Sequence, residues 1–133
     1  MNHFVFNRHG ACLNPKRVID WGNKVCRFIV EISQSPNGQW NCGTDITVLA
    51  DSSFRGAYLC RDTSRGYPTE RHAVTAALER CRDFASTELH ERTLMPDNPE
   101  RRTLSNVSAI PYIKAAIKRL DGYIEHYTPN QLF

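Results

Sequence analysis

The sequence predicts an α+β fold: a three-stranded antiparallel βββ meander covered on one face by an amphipathic helix, flanked by a short N-terminal helix and a C-terminal helix. Three observations carry that reading. Across residues 25–49 apolar side chains recur at every second position on both sides of a turn sequence, the period of half-buried strands. Across residues 69–89, and again across 110–127, they recur at steps of three and four, the period of a helix laid on a core.

Taken in order, Phe4-Val5-Phe6 offers a short strand. Asn14 as cap, Pro15 in the first turn and Gly22 as a left-handed exit bracket a first helix, which Val18, Ile19 and Trp21 would anchor. From Val25 the period becomes two: Cys26, Phe28, Val30 and Ile32 point one way, and Arg27, Glu31 and Ser33 the other. Ser35-Pro36-Asn37-Gly38 then supplies turn chemistry, because proline fixes φ and Asn-Gly tolerates positive φ. The return strand runs over 39–49 with Trp40, Cys42, Thr44, Ile46 and Val48 on one face, and Gly43 marks a candidate bulge. A third strand is expected over 54–61.

The long helix over 69–89 starts at Thr69, whose hydroxyl can accept an orphan amide, and Glu70 suits the positive helix start. Its stripe is Val74, Ala77, Leu78, Cys81, Phe84 and Ala85, with His72, Thr75, Glu79, Arg82, Asp83 and Ser86 opposite. Glu88 falls on the apolar side of that wheel. A buried unpaired carboxylate is costly, so either the helix ends near Ser86 or Glu88 meets a basic partner. Residues 91–108, with Pro96, Pro99 and dense charge, read as a linker. Ser108 caps a last helix over 109–127 in which Ile110, Ile113, Ile117, Leu120, Ile124 and Tyr127 alternate steps of three and four. That seam would pack on the sheet or against the first long helix, or else join a second copy as a homodimer or another partner; Pro129 ends it.

At 133 residues the chain suits one domain, with its core over about 14–90. A hydrophobic share of 41% and a charged share of 23% are those of an ordinary soluble globular protein. No apolar run reaches the roughly 18 residues of a membrane span, and the first nine residues hold no h-region of signal-peptide length, so a cytoplasmic location is expected. Cys12, Cys26, Cys42, Cys60 and Cys81 include no C-x-x-C pair, which disfavours both a zinc site and a disulfide framework. No phosphate loop, nucleophile elbow or H-E-x-x-H occurs, so neither catalytic residues, metal nor cofactor is expected. An enzyme would have to draw on Cys12, Cys42, His72 or His90.

The net charge of +3 is mildly basic, and arginine far outnumbers lysine, a bias toward carboxylate, phosphate and aromatic partners. Arg55, Arg61, Arg65 and Arg71 form a candidate patch for nucleic acid. The predicted order αβββα over about 14–86 resembles the double-stranded-RNA-binding domain. Here the loop between the first two strands lacks that family's histidine, and Glu70 stands where its phosphate-facing lysines begin.

The βββα unit over about 25–86, with Trp40 on a returning strand, Tyr67-Pro68-Thr69 and the run Ala73-Val74-Thr75-Ala76-Ala77-Leu78, also resembles small accessory proteins of bacterial phages and plasmids. Anti-CRISPR proteins and other inhibitors of host defence are drawn from that group. The resemblance implies inhibition by protein–protein binding, with a bacterial CRISPR effector complex as partner, in the cytoplasm of the host cell. Exposed charges on the long helix (Glu79, Arg82 and Asp83) and in the linker (Arg101 and Arg102) are the candidate partner-binding residues.

Overall fold

In a computed structural model of the chain, residues 4–49, 55–60, 66–94 and 106–129 are described. Four strands, β1 (Lys16–Gly22), β2 (Cys26–Gln34), β3 (Trp40–Leu49) and β4 (Arg55–Cys60), precede two helices, α1 (Glu70–Leu94) and α2 (Asn106–Tyr127). The strands form one antiparallel meander in the order β1-β2-β3-β4. The class is α+β as expected, but the sheet has gained a strand and the chain has lost its N-terminal helix.

That helix is corrected by β1. Lys16 to Gly22 pair with β2, and the register slips between Arg17 and Ile19, leaving Val18 as the extra residue of a bulge. The bulge turns Lys16, Ile19 and Trp21 toward one face and Arg17 and Asp20 toward the other. Simple alternation is thereby hidden in the sequence, while Pro15 and Gly22 imitate helix boundaries. Pairing is decisive here, because β2 would otherwise end the sheet as an open edge beside its buried apolar face. Gly22 makes no left-handed exit; among the described glycines positive φ occurs at Gly10 and Gly38. Gly43 pairs in regular register with Glu31, so the bulge expected there sits on β1 instead. With a strand in the place of the first helix, the order departs from the topology of the double-stranded-RNA-binding domain.

The expected hairpin forms around Gly38, whose φ is 88°. Gly38 N donates to the Ser35 carbonyl at 2.9 Å, and Ser35 N to the Gln39 carbonyl at 2.9 Å. Phe4-Val5-Phe6 contributes one bridge, Phe6 to Cys12, in place of a strand. Thr69 caps α1: His72 N donates to its hydroxyl at 3.2 Å. The helix then continues to Leu94, beyond the expected end.

One face of the sheet carries the core. Phe28, Val30, Ile32, Ile46 and Val48 meet Val74, Ala77, Leu78, Cys81 and Ala85 of α1, and Ile113, Ala116 and Leu120 of α2. All of these are sealed from water, and burial of that apolar surface is the main favourable term in folding. Thr75, expected on the outer side of α1, is buried because α2 packs alongside. Of the expected α2 seam, Ile113 and Leu120 are consumed by the chain's own core, and Ile117 and Ile124 are half-buried against it. Ser108 is not the cap, since α2 already begins at Asn106 and Pro111 lies inside it.

Asn23 ties the sheet to α2. Its side-chain oxygen accepts from Val25 N and Cys26 N at 2.9 and 2.8 Å, while its amide donates to the Tyr112 carbonyl at 2.9 Å. Asn23→Ala removes all three bonds and is expected to cost about 1–3 kcal/mol, read as a lower midpoint in urea unfolding with unchanged slope.

Glu88 has the basic partner that its place on the wheel demanded. Arg92, one turn later and buried, sits 3.8 Å from it. Burial raises the Glu88 pKa, Arg92 lowers it and Glu91 raises it, for a net rise above the ordinary 4.5. A carboxyl whose folded pKa is raised binds its proton more tightly in the folded state. Its contribution therefore improves as pH falls through that raised value and is complete below the unfolded one. Unfolding free energies of wild type and Glu88→Gln at pH 7 and pH 4 are expected to shift relative to each other in favour of wild type at the lower pH.

Candidate functional site

The face of the sheet turned away from the helices carries Arg17, Asp20, Arg27, Ile29, Glu31, Asp45 and Thr47. None of these is aromatic, and Arg17, Asp20, Arg27 and Glu31 pair among themselves. Arg27 Nη2 lies 2.8 Å from Asp20, and Arg17 lies 3.4 Å from Asp20 and 3.6 Å from Glu31. The hydrogen bond from Arg27 holds the Asp20 carboxyl below its ordinary pKa. Among these described side chains none offers a stacking platform or an unpaired cation.

A different surface does. Along the β1 edge of the molecule, α2 and Trp21 border an open groove of about 700 Å³, walled by Trp21, Lys118, Arg119, Tyr123, His126 and Tyr127 with Gly122 between them. That volume is within the usual range of ligand pockets. Among the described residues no carboxylate lines it. The two acidic residues in this half of α2, Asp121 and Glu125, fall outside the lining, and Asp121 is turned to α1, where Arg82 Nε meets it at 2.5 Å.

The walls are held from behind. Trp21 stacks on Phe28 with ring centroids 5.3 Å apart, and Phe28 meets Tyr123 edge-on at 6.2 Å. Because Phe28 is wholly buried in the central strand β2, the core fixes these two of the three aromatic walls. Arg119 lies over the Tyr123 ring at 4.9 Å and donates to its hydroxyl at 3.4 Å. Such a cation–π contact spreads a guanidinium in a defined plane while leaving its remaining donors open. At the far end Arg71 Nη2 donates to the His126 carbonyl at 2.9 Å and lies over the Tyr127 ring at 5.6 Å, fastening the end of α2 to the start of α1.

The residues expected to carry function are dispersed. Of the nucleic-acid patch, Arg71 supports the groove; Arg61 and Arg65 lie outside the described residues, and Arg55 is described only as part of β4. Arg101 and Arg102 also lie outside the described residues. Glu79 and Asp83 are exposed on α1, whereas Arg82 is bonded to Asp121 and, through Nη1, to Ser86 at 3.2 Å. Beside Asp83 a smaller hollow of about 260 Å³ is lined by Arg80, Phe84 and Thr87.

Burial pushes the Cys26 and Cys81 thiols up to about 12, so at neutral pH they are protonated core groups and not nucleophiles. Cys42 is buried and accepts from Arg80 Nη1 at 3.4 Å. His72 shares a hydrogen bond with the Thr69 hydroxyl, part of the helix cap. Among the described residues no group of three or more His, Cys, Asp or Glu side chains could hold a metal ion, and no helix is long and apolar enough to cross a membrane. Compared with known proteins, the chain matches no family model, no curated protein and no solved structure.

Sequence reasoning missed the groove because Trp21 reads as an anchor of a first helix and Tyr123 falls outside the three-and-four seam of α2. The available signal was the Lys118-Arg119 pair beside Tyr123 on α2, with the next acidic side chain, Asp121, on the flank toward α1.

Proposed function

We propose that the chain is a non-enzymatic nucleic-acid-binding module whose working surface is the groove between α2 and β1. The supporting observation is the pairing of two exposed cations, Lys118 and Arg119, with three aromatic walls in a lining that, among the described residues, holds no carboxylate. Cations meet phosphates, and aromatic rings meet bases. A protein that masked another's nucleic-acid-binding surface would have to present negative charge to it, and this groove presents the opposite sign. Binding of short labelled oligonucleotides, followed by anisotropy from about 20 to 200 mM salt, tests the reading. The expected result is an affinity that falls linearly on logarithmic axes; no association with single or double strands at the lowest salt overturns it.

A second reading follows the resemblance to anti-CRISPR-like inhibitors acting on a bacterial CRISPR effector complex in the host cytoplasm. It is favoured by Glu79 and Asp83, which are one helical turn apart, exposed, and form no ion pair among the described residues. Their sign suits a basic protein surface, and half-buried Phe84 beside Asp83 supplies an apolar contact. Under this reading Glu79→Lys with Asp83→Lys abolishes inhibition of the target complex and leaves oligonucleotide binding unchanged. A homodimer would use the half-buried flank of α2 at Ile117 and Ile124; light scattering on wild type and Ile117→Glu tests it.

A further inference from the structure

We infer that the ligand of the groove is a single strand of nucleic acid, an unstacked base lying against Trp21 while Lys118 and Arg119 take the phosphates on either side. The inference rests on the nucleic-acid reading above and narrows it to one form of ligand. Its first ground is shape. The site is a recess between a helix and a strand edge, about 700 Å³ in volume. A duplex keeps its bases stacked inside and presents a convex backbone roughly 20 Å across, recognised by shape over a long surface. A single strand instead splays bases into such recesses.

The second ground is the order of the chemistry along the groove. Trp21 is backed by Phe28 on one ring face, and it lines the groove. It is therefore a rigid platform whose stacking loses little side-chain entropy on binding. Arg119 is spread over Tyr123, so its guanidinium is presented as a plane before any ligand arrives. Lys118 stands beside it as a mobile point charge suited to a phosphate. Gly122 keeps the wall between them low: a Cβ built there meets no atom within 4 Å. A side chain at this position would fill the recess from the helix side.

The test uses the full chain in a Trp40→Phe background, so that fluorescence reports Trp21 alone. Ten-nucleotide oligo(dT) and oligo(U) are titrated against a duplex of the same length, with circular dichroism on every variant. The expected result is quenching of Trp21 by the single strands and an affinity for the duplex at least about tenfold weaker. Trp21→Ala is expected to lower single-strand affinity by about tenfold, the scale of one lost base stack. A Cβ at position 122 meets no atom within 4 Å and phenylalanine has the higher helix propensity, so Gly122→Phe is expected to keep the fold, as circular dichroism checks, and to block binding. Equal affinity for duplex and single strand, or single-strand binding with neither Trp21 quenching nor sensitivity to Gly122→Phe, overturns the inference while leaving nucleic-acid binding in place. Failure to bind either form overturns both.

Discussion

Reversing the two groove cations together, as Lys118→Glu with Arg119→Glu, is expected to lower the affinity for a single strand by at least about a hundredfold near 0.1 M salt. Both side chains are exposed on α2, and neither takes part in the core. Their contribution to folding is small, apart from the Arg119 contact with Tyr123. What changes is the sign of the field in a groove where, among the described residues, no carboxylate compensates. Each phosphate contact removed also takes about 0.7 from the salt slope for single strands, so the slope is expected to fall by roughly 1.4. A variant that still binds with the wild-type slope places the phosphates elsewhere. The same substitutions leave a protein-directed interaction through Glu79 and Asp83 untouched, because those residues lie on the outer side of α1. The pair of double variants thus separates the two surfaces in one set of measurements.

Much of the fold was readable wherever a residue's neighbours in space are also its neighbours in sequence. Cys26, Phe28, Val30 and Ile32 alternate, and they do face the core. The Pro-Asn-Gly turn closes as its chemistry dictates, and the α1 stripe is buried at Val74, Ala77, Leu78, Cys81 and Ala85. What could not be read required a partner from far along the chain. Val18 becomes a bulge because β2 offers it an edge, not because of anything in its own segment. Thr75 is buried by α2, which begins some thirty residues later. The extension of α1 to Leu94 was signalled locally, since Arg92 stands four residues after Glu88 and supplies the charge that makes burial there tolerable. The groove is the extreme case: Trp21 and Tyr123 come from opposite ends of the sequence and are joined through Phe28, which stacks on one and meets the other edge-on.

That shared position carries the largest expected effect on stability. Phe28 is wholly buried, sits in the inner strand β2, and touches two of the three aromatic walls of the groove, Trp21 and Tyr123. Phe28→Ala removes the ring and leaves a cavity, at a cost of about 3–5 kcal/mol. Against a typical domain stability of about 5–15 kcal/mol, that is a large share of the total, and the thermal midpoint is expected to fall by roughly 10–25 °C. Phe28→Leu keeps most of the volume and is expected to cost less than about 1.5 kcal/mol. The leucine variant separates folding from function, because it retains a packed core but offers Trp21 no aromatic face to stack on and Tyr123 no ring edge. Its thermal midpoint should stay near that of wild type while single-strand affinity drops, since a wall no longer fixed must be ordered by the ligand at the ligand's expense. If Phe28→Leu binds as wild type does, the stack behind Trp21 serves packing alone, and the groove owes its recognition to charge.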